Sequence, residues 1–400
     1  MFLTMNDRQR IEAVQAIMDG RITVEQARCV LHRSERQVYR LLHSIRTDGI
    51  PGLIHKGRGR PSHRKLSDEV RLKIISLVRD KLQDINDTHL REILDGRYHI
   101  HIGRETLRSL LRKEGIPPKR KRRSPRYRKR RERKEAFGMM LQIDASPHPW
   151  LETRAPSLTL VGAIDDATGY VWARFEEAET TWAYLDLLLD ISTSHGLPLS
   201  LYSDRHTIFH SPRPPNIVEQ LKNIKPLTHF GRAMHDLGIT IIKAYSPQAK
   251  GRIERLWETL QDRLVVELRL ANAQNLLEAN QVIKNVLKDF NQHFTVLPKQ
   301  KQGVFRKAPS LSNLERILCL KESRTVNNDH TISFEGIALQ IPPSKNFHSI
   351  TGKRVEVLQL RDGSIEIVYK DMTVAQFSPQ AVSRLINTVL AEKTNLRKAA

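Results

Sequence analysis

Apolar residues recur at helical spacing through the first third of the chain and switch to short continuous or alternating runs after residue 139. Ile11, Val14, Ile17 and Met18 form the first stripe, and Gly20 supplies a stop, predicting a helix over 7–19. Thr23 with Gln26, and Ser34 with Gln37, stand at capping-box spacing, where hydroxyl and carboxamide satisfy each other's backbone N–H groups. They open one helix with Val24, Ala27 and Leu31 inward and another with Val38, Leu41, Leu42 and Ile45 inward. Three further stripes follow between Asp68 and Gly115: Val70, Ile74, Ile75 and Val78; then Leu90, Ile93 and Leu94; then Leu107, Leu110 and Leu111.

The runs 139–144, 158–165, 170–175, 199–204 and 239–243 read as strands, with 166–169 as a turn, a helix over 181–194 and a long helix over 252–270. The first and fourth runs each end on an acid, Asp144 and Asp204. About thirty residues separate the fourth and fifth strands, more than a simple crossover requires. Residues 271–320 read as a helical connector, 331–377 as short strands with Asp362 and Gly363 in a hairpin turn, and 381–400 as a helix or frayed tail. No apolar run approaches the ~18–20 residues of a membrane span, since Asp186 and Asp190 interrupt the best one. The start turns charged within seven residues, so no secretory signal is expected. Cys29 and Cys319 are too few for a disulfide framework or a Cys-based zinc site.

Charge divides the chain in the same places. Residues 1–135 carry 35 basic and 17 acidic side chains, 136–200 carry 2 and 9, and 201–400 carry 29 and 18, within a net charge of +22. The densest run, Lys119–Lys134, has 12 basic residues and one acid, Glu132; it reads as a solvated linker that neutralises DNA phosphates. A basic front followed by an acidic block suits a DNA grip joined to a site built from carboxylates.

In the front, a short helix followed by one rich in Arg and Gln is the helix-turn-helix layout, and Arg36, Gln37 and Arg40 are its candidates for base contacts. A small three-helix bundle with a charged surface would share the pattern. Gly57–Pro61 resembles an AT-hook, with Arg58 and Arg60 placed for a minor groove, although a flexible basic linker would read alike. Arg104, Arg108 and Arg112 mark a second candidate groove-facing helix, or simply a solvated face.

Three strands, then alternating helices and strands, is the ribonuclease-H-like order. On that order the stretches IDAS at 143–146, YSDRH at 202–206 and SPQAKGRIERLWETLQ at 246–261 resemble the catalytic signatures of DDE transposases with a retroviral-integrase-type core, in particular the ISNCY group of bacterial insertion sequences. The resemblance implies that Asp144, Asp204 and Glu254 converge as the catalytic and metal-binding triad, with Glu258 as competitor one helical turn on. Two Mg²⁺ or Mn²⁺ ions held by such acids clamp the attacking and leaving oxygens of a phosphodiester. Lys250 and Arg252, just before the helical acid, are candidates for contact with the DNA end, although a basic helix start would read alike. His206 either activates water or orders its loop, and Asp165 and Asp166 read as turn residues. Where retroviral integrases have Asn-Gly after the second acid, this chain has Arg205 and His206.

The expected organisation is multidomain: helix-turn-helix units at 1–56 and 68–117, an AT-hook-like linker at 57–67, a basic linker at 118–135, the α/β core at 136–300, a connector at 301–330, a small all-β SH3-like barrel at 331–380 and a tail at 381–400. The expected partners are double-stranded DNA (terminal inverted repeats and target) and further copies of the chain, with no membrane, in the nucleoid of a bacterial cytoplasm. Two rivals stand beside the transposase: a non-catalytic DNA-binding regulator, which intact acids disfavour, and a ribonuclease-H-like junction nuclease, which leaves the front unexplained.

Overall fold

The computed structural model describes residues 4–54, 57, 66–120, 124, 131–215, 217–221, 225–244, 250–343 and 349–387. Residues Met1–Ser76 and Leu77–Ala400 form two compact units. The first holds α1 (Met5–Met18), α2 (Val24–Leu31), α3 (Glu35–Asp48) and a 3₁₀ turn at Ile50–Leu53. Both expected capping boxes form, and a third joins Thr4 to Asp7, where Asp stands in for the usual Glu or Gln. Ile11, Val14, Ala27, Val38, Leu42 and Leu53 make the core. Met18, expected inward, is exposed: it ends α1, and Gly20 at φ +70° turns the chain away.

Helix α4 (Asp68–Asp80) spans the boundary between units, and α5 (Asp87–Tyr98) and α6 (Arg104–Lys113) follow. The two later stripes are buried as their periodicity requires: Leu90, Ile93 and Leu94 on α5, and Leu107, Leu110 and Leu111 on α6.

Five strands then form one sheet: β1 (Leu141–His148), β2 (Leu158–Asp165), β3 (Val171–Glu176), β4 (Ser200–Ser203) and β5 (Thr240–Lys243), in the order β3-β2-β1-β4-β5. The first three are antiparallel, while β4 and β5 run parallel to β1. This is the ribonuclease-H-like sheet. Between its elements lie α7 (Thr181–Ser194), α8 (Ile217–Leu221) and α9 (His229–Asp236), followed by α10 (Gly251–Leu270) and α11 (Leu276–Phe294).

Strand alternation assigns the faces. Leu141, Ile143, Val161 and Ala163 pack with α7 and α9; Leu158, Leu160 and Ile164 pack with α10 and α11. The long segment between β4 and β5 is therefore partly core, with Phe209, Phe230 and Met234 buried under the sheet.

Helix α5 meets α10 through polar groups. Asn86 and Lys119 bond Asp262, Arg263 bonds Glu92 at 2.5 Å, and Glu267 accepts from Arg97 and lies 3.0 Å from His89 Nε2. Burial raises the Glu267 carboxyl, but His89 and Arg97 more than offset this and hold it below its ordinary value.

After α11 the chain is less helical than expected. Residues 295–310 run extended along the core, where Val296, Gln300, Val304 and Arg306 donate N–H groups to the carbonyls of Thr168, Glu135, Phe137 and Leu197. After α12 (Leu311–Ile317) come β6 (Leu320–Thr325), β7 (Thr331–Phe334), β8 (Ile337–Gln340), β9 (Arg354–Gln359), β10 (Ile365–Tyr369) and β11 (Met372–Phe377).

The expected barrel does not close. Among the described residues there is a four-stranded sheet, β11-β10-β9-β6, and a separate β7-β8 hairpin, sharing one apolar core. Strand β6 lies in the stretch expected to be connector. The run 331–341 is a hairpin because Glu335 and Gly336 adopt positive φ and fold it back on itself.

Candidate active site

Sheet register brings the two aspartates level. Parallel pairing of β1 and β4 matches Leu141 with Leu201 and Gln142 with Tyr202, so Asp144 and Asp204 each stand two residues beyond the same rung. Asp204 follows β4 directly, as expected of a strand-end acid. Asp144 does not end its strand, because β1 continues to His148 against β2. It marks instead where the neighbouring β4 stops.

Each carboxylate is pinned by one oxygen and shares a cation through the other. Asp144 Oδ2 accepts from Trp257 Nε1 at 3.1 Å, and Asp204 Oδ1 accepts from the His206 backbone N–H at 2.9 Å. Lys250 Nζ sits between the remaining oxygens, 2.8 Å from Asp144 Oδ1 and 3.2 Å from Asp204 Oδ2. Burial raises the Asp204 carboxyl; the His206 N–H and the Lys250 ammonium outweigh it and hold the group below its ordinary value. The His206 ring is tied into its own loop, where its Nδ1 accepts from the Ile208 N–H at 3.3 Å.

Helix α10 lies along β1 in polar steps. Ile253 N–H donates to Gln142 Oε1 at 3.4 Å, Trp257 to Asp144, and Gln261 Nε2 to Ser146 Oγ at 3.1 Å. Four helical residues rise roughly 6 Å and two strand residues about 6.7 Å, so the two repeats stay nearly in step. Gly162, opposite Asp144 in β2, makes room for this approach: a Cβ there would lie 2.7 Å from the Trp257 ring.

Glu254 is exposed on the first turn of α10, as is Glu258 one turn on. Among the described residues no three His, Cys, Asp or Glu side chains are arranged to hold a metal ion, so Asp144 and Asp204 converge while Glu254 does not complete a group with them. The donor chemistry nevertheless fits a cation, because the Lys250 ammonium already occupies the point on which both aspartates converge.

The basic candidates divide. Arg36 and Arg40 are exposed on α3, but the Gln37 carboxamide oxygen accepts the Ser34 N–H at 3.0 Å and so belongs to the helix cap. Arg104 and Arg108 are exposed on α6, both paired with Glu105. Arg112 is structural: it bonds Asp87 and the Ile116 carbonyl. Arg58 and Arg60, most of the Lys119–Lys134 run, and residues 245–249 before α10 lie outside the described residues.

Arg252, expected at the DNA end, is paired with Asp166 at 3.0 Å. Asp165 is the turn residue expected of it, accepting the N–H groups of Ala167 and Thr168 while burial raises its carboxyl. Gln142, Gly162, Asp166 and Trp257 went unread as site residues. The one sequence signal was the alternation of polar Gln142, Asp144 and Ser146 on one face of a buried strand.

The winged helix-turn helix family matches residues 10–71. The chain is 34% identical over 372 residues to the Sinorhizobium fredii protein named as transposase y4bF, spanning 92% of this chain and 80% of that protein. It is 31% identical over 407 residues to the transposase for insertion sequence IS1202 of Streptococcus pneumoniae, spanning 92% and 85%. Among solved structures it is similar to the HTLV-2 integrase catalytic core domain in complex with magnesium, at 17% identity and a TM-score of 0.31, over 42% of this chain and 94% of that one. At that identity and extent of alignment with two transposases, the chain belongs to the bacterial transposase family that contains them.

Proposed function

We propose that this transposase binds the terminal inverted repeats of its own element, cleaves DNA there and joins the freed 3′-hydroxyl to target DNA. Asp144, Asp204 and Glu254 are its catalytic and metal-holding residues. The observation that carries the reading is the Lys250 ammonium between two level carboxylates, each already fixed by its other oxygen. Two pre-oriented oxygens facing one cation suit a hard divalent ion, and Glu254 supplies the third carboxylate from the adjoining helix turn. Two Mg²⁺ or Mn²⁺ ions would there stabilise the attacking and leaving oxygens of an in-line displacement at phosphorus. Lys250, released from the aspartates, is then free to meet a DNA phosphate.

Arg36 and Arg40 on α3, Arg104 and Arg108 on α6, and Arg58 and Arg60 of the AT-hook-like segment hold the duplex in this reading. Joining two element ends calls for at least a dimer. Protein incubated with Mg²⁺ and DNA carrying the element's ends should cleave and join it, and Asp144→Ala, Asp204→Ala and Glu254→Ala should each abolish both steps while still retarding end DNA in a gel. Full activity in Asp204→Ala, or no cleavage by the wild type, sinks the proposal.

A further inference from the structure

Asp166 was expected to do no more than make a turn, yet its side chain is wholly buried, three hydrogen-bond donors converge on it, and the Arg252 guanidinium is ion-paired with it. Oδ1 faces Arg252 Nε at 3.0 Å, Gln142 Nε2 at 2.9 Å and the Arg131 guanidinium, and Oδ2 accepts the Lys134 N–H at 2.8 Å. Its own N–H donates to the Met140 carbonyl at 3.0 Å, tying it to the residue before β1.

Two of those partners lead to α10. Arg252 is in its first turn and also donates from Nη2 to the Arg131 carbonyl at 3.1 Å. Gln142, held by Asp166 through its nitrogen, turns its oxygen to the Ile253 N–H. Helix α10 has no side-chain cap of its own at Lys250, so one of its open N–H groups is satisfied from the neighbouring strand. A buried carboxylate thus fixes both the charge and the backbone of the turn that carries Glu254.

We propose that Asp166 is a positioning residue for strand transfer: through Arg252 and Gln142 it locks the first turn of α10, and Glu254 with it, against β1. This rests on Glu254 being catalytic, as proposed above. Displacing a reacting group by about 1 Å costs on the order of 100-fold in rate, so a loosened first turn shows in turnover before it shows in DNA binding.

The test uses the full chain with 5-fluorotryptophan incorporated. The Trp257 resonance, assigned by its loss in Trp257→Phe, reports the seating of α10 on Asp144 without any turnover. Asp166→Asn keeps the shape and removes the charge; Arg252→Gln removes the helix-side partner and leaves Asp166's other donors in place. Both should shift the resonance and lower the joining rate about 10–100-fold at unchanged affinity for end DNA. The double variant should be no worse than Asp166→Asn alone, since that variant has already lost the link to Arg252. Arg252→Lys should recover part of the rate.

The inference is overturned if the resonance stays put and the rate is that of wild type, or if the rate falls only in proportion to DNA affinity. It is also overturned if Asp166→Asn unfolds the protein while Arg252→Gln leaves Trp257 unmoved, which would make Asp166 scaffold alone. A shifted resonance in a protein that joins no DNA even as wild type would uphold the anchoring and sink the transposition reading instead.

Discussion

A carboxylate held by one oxygen and turned by the other toward a cation is a directed acceptor, and Asp144 and Asp204 are both of this kind. With Lys250 removed, two such groups face each other without a cation. Lys250→Met should therefore lower the melting temperature in EDTA, and millimolar-range Mn²⁺ should restore it more fully than it raises that of wild type; equal shifts in both proteins would contradict this. Gly162→Ala drives a methyl into the Trp257 ring, and overpacking of this sort costs about 1–3 kcal/mol in denaturant unfolding. Trp257→Phe, which lacks the ring atom struck, should relieve much of that loss. The aspartates were legible in the sequence because a lone acid closing a run of apolar residues stands out. Gly162, Gln142 and Trp257 were not, since each is an unremarked strand or core residue until register says what lies opposite.

Among elements, α5 and α10 are joined by ion pairs, and these fix the response of the contact to acid. The Glu267 carboxyl titrates below its ordinary 4.5, so its share of stability is complete above that value and is lost as the pH falls through the lowered one. Melting temperature plotted from pH 7 to pH 3 should drop in that lower window, and Glu267→Gln should flatten the drop while lowering the plateau. Helix faces here were readable from spacing alone, as the buried leucines of α5 and α6 demonstrate. What each face meets was not, because Arg112 and Arg252 look the same in a sequence whether they pair with Asp87 and Asp166 or with a phosphate.

At the scale of the whole molecule, the positive charge is partly spent on the protein itself. Lys119 is bound to Asp262, Arg131 to Asp166, and Arg133 to the Ala167 carbonyl, so the dense basic run is fastened to the core near both ends. Changing Arg126, Arg128 and Arg130 to Gln should reduce the slope of log affinity for DNA against log salt by about 2–3. A change of under about one would show that this run does not neutralise phosphates. The division into helical front, ribonuclease-H-like sheet and β-rich end followed from patterning, whereas the open arrangement of strands among the described residues of the end depends on which strands pair, and alternation does not state partners. The stepwise match of α10 with β1 also limits how the chain can change in length. Loops before Lys250 or beyond the end of α10 at Leu270 can grow or shrink and leave the site as it is. A single residue inserted between Ile253 and Gln261 turns everything beyond it by about 100°, so that Gln261 no longer meets Ser146. Relatives should therefore vary in length around this stretch and keep its reading frame within it.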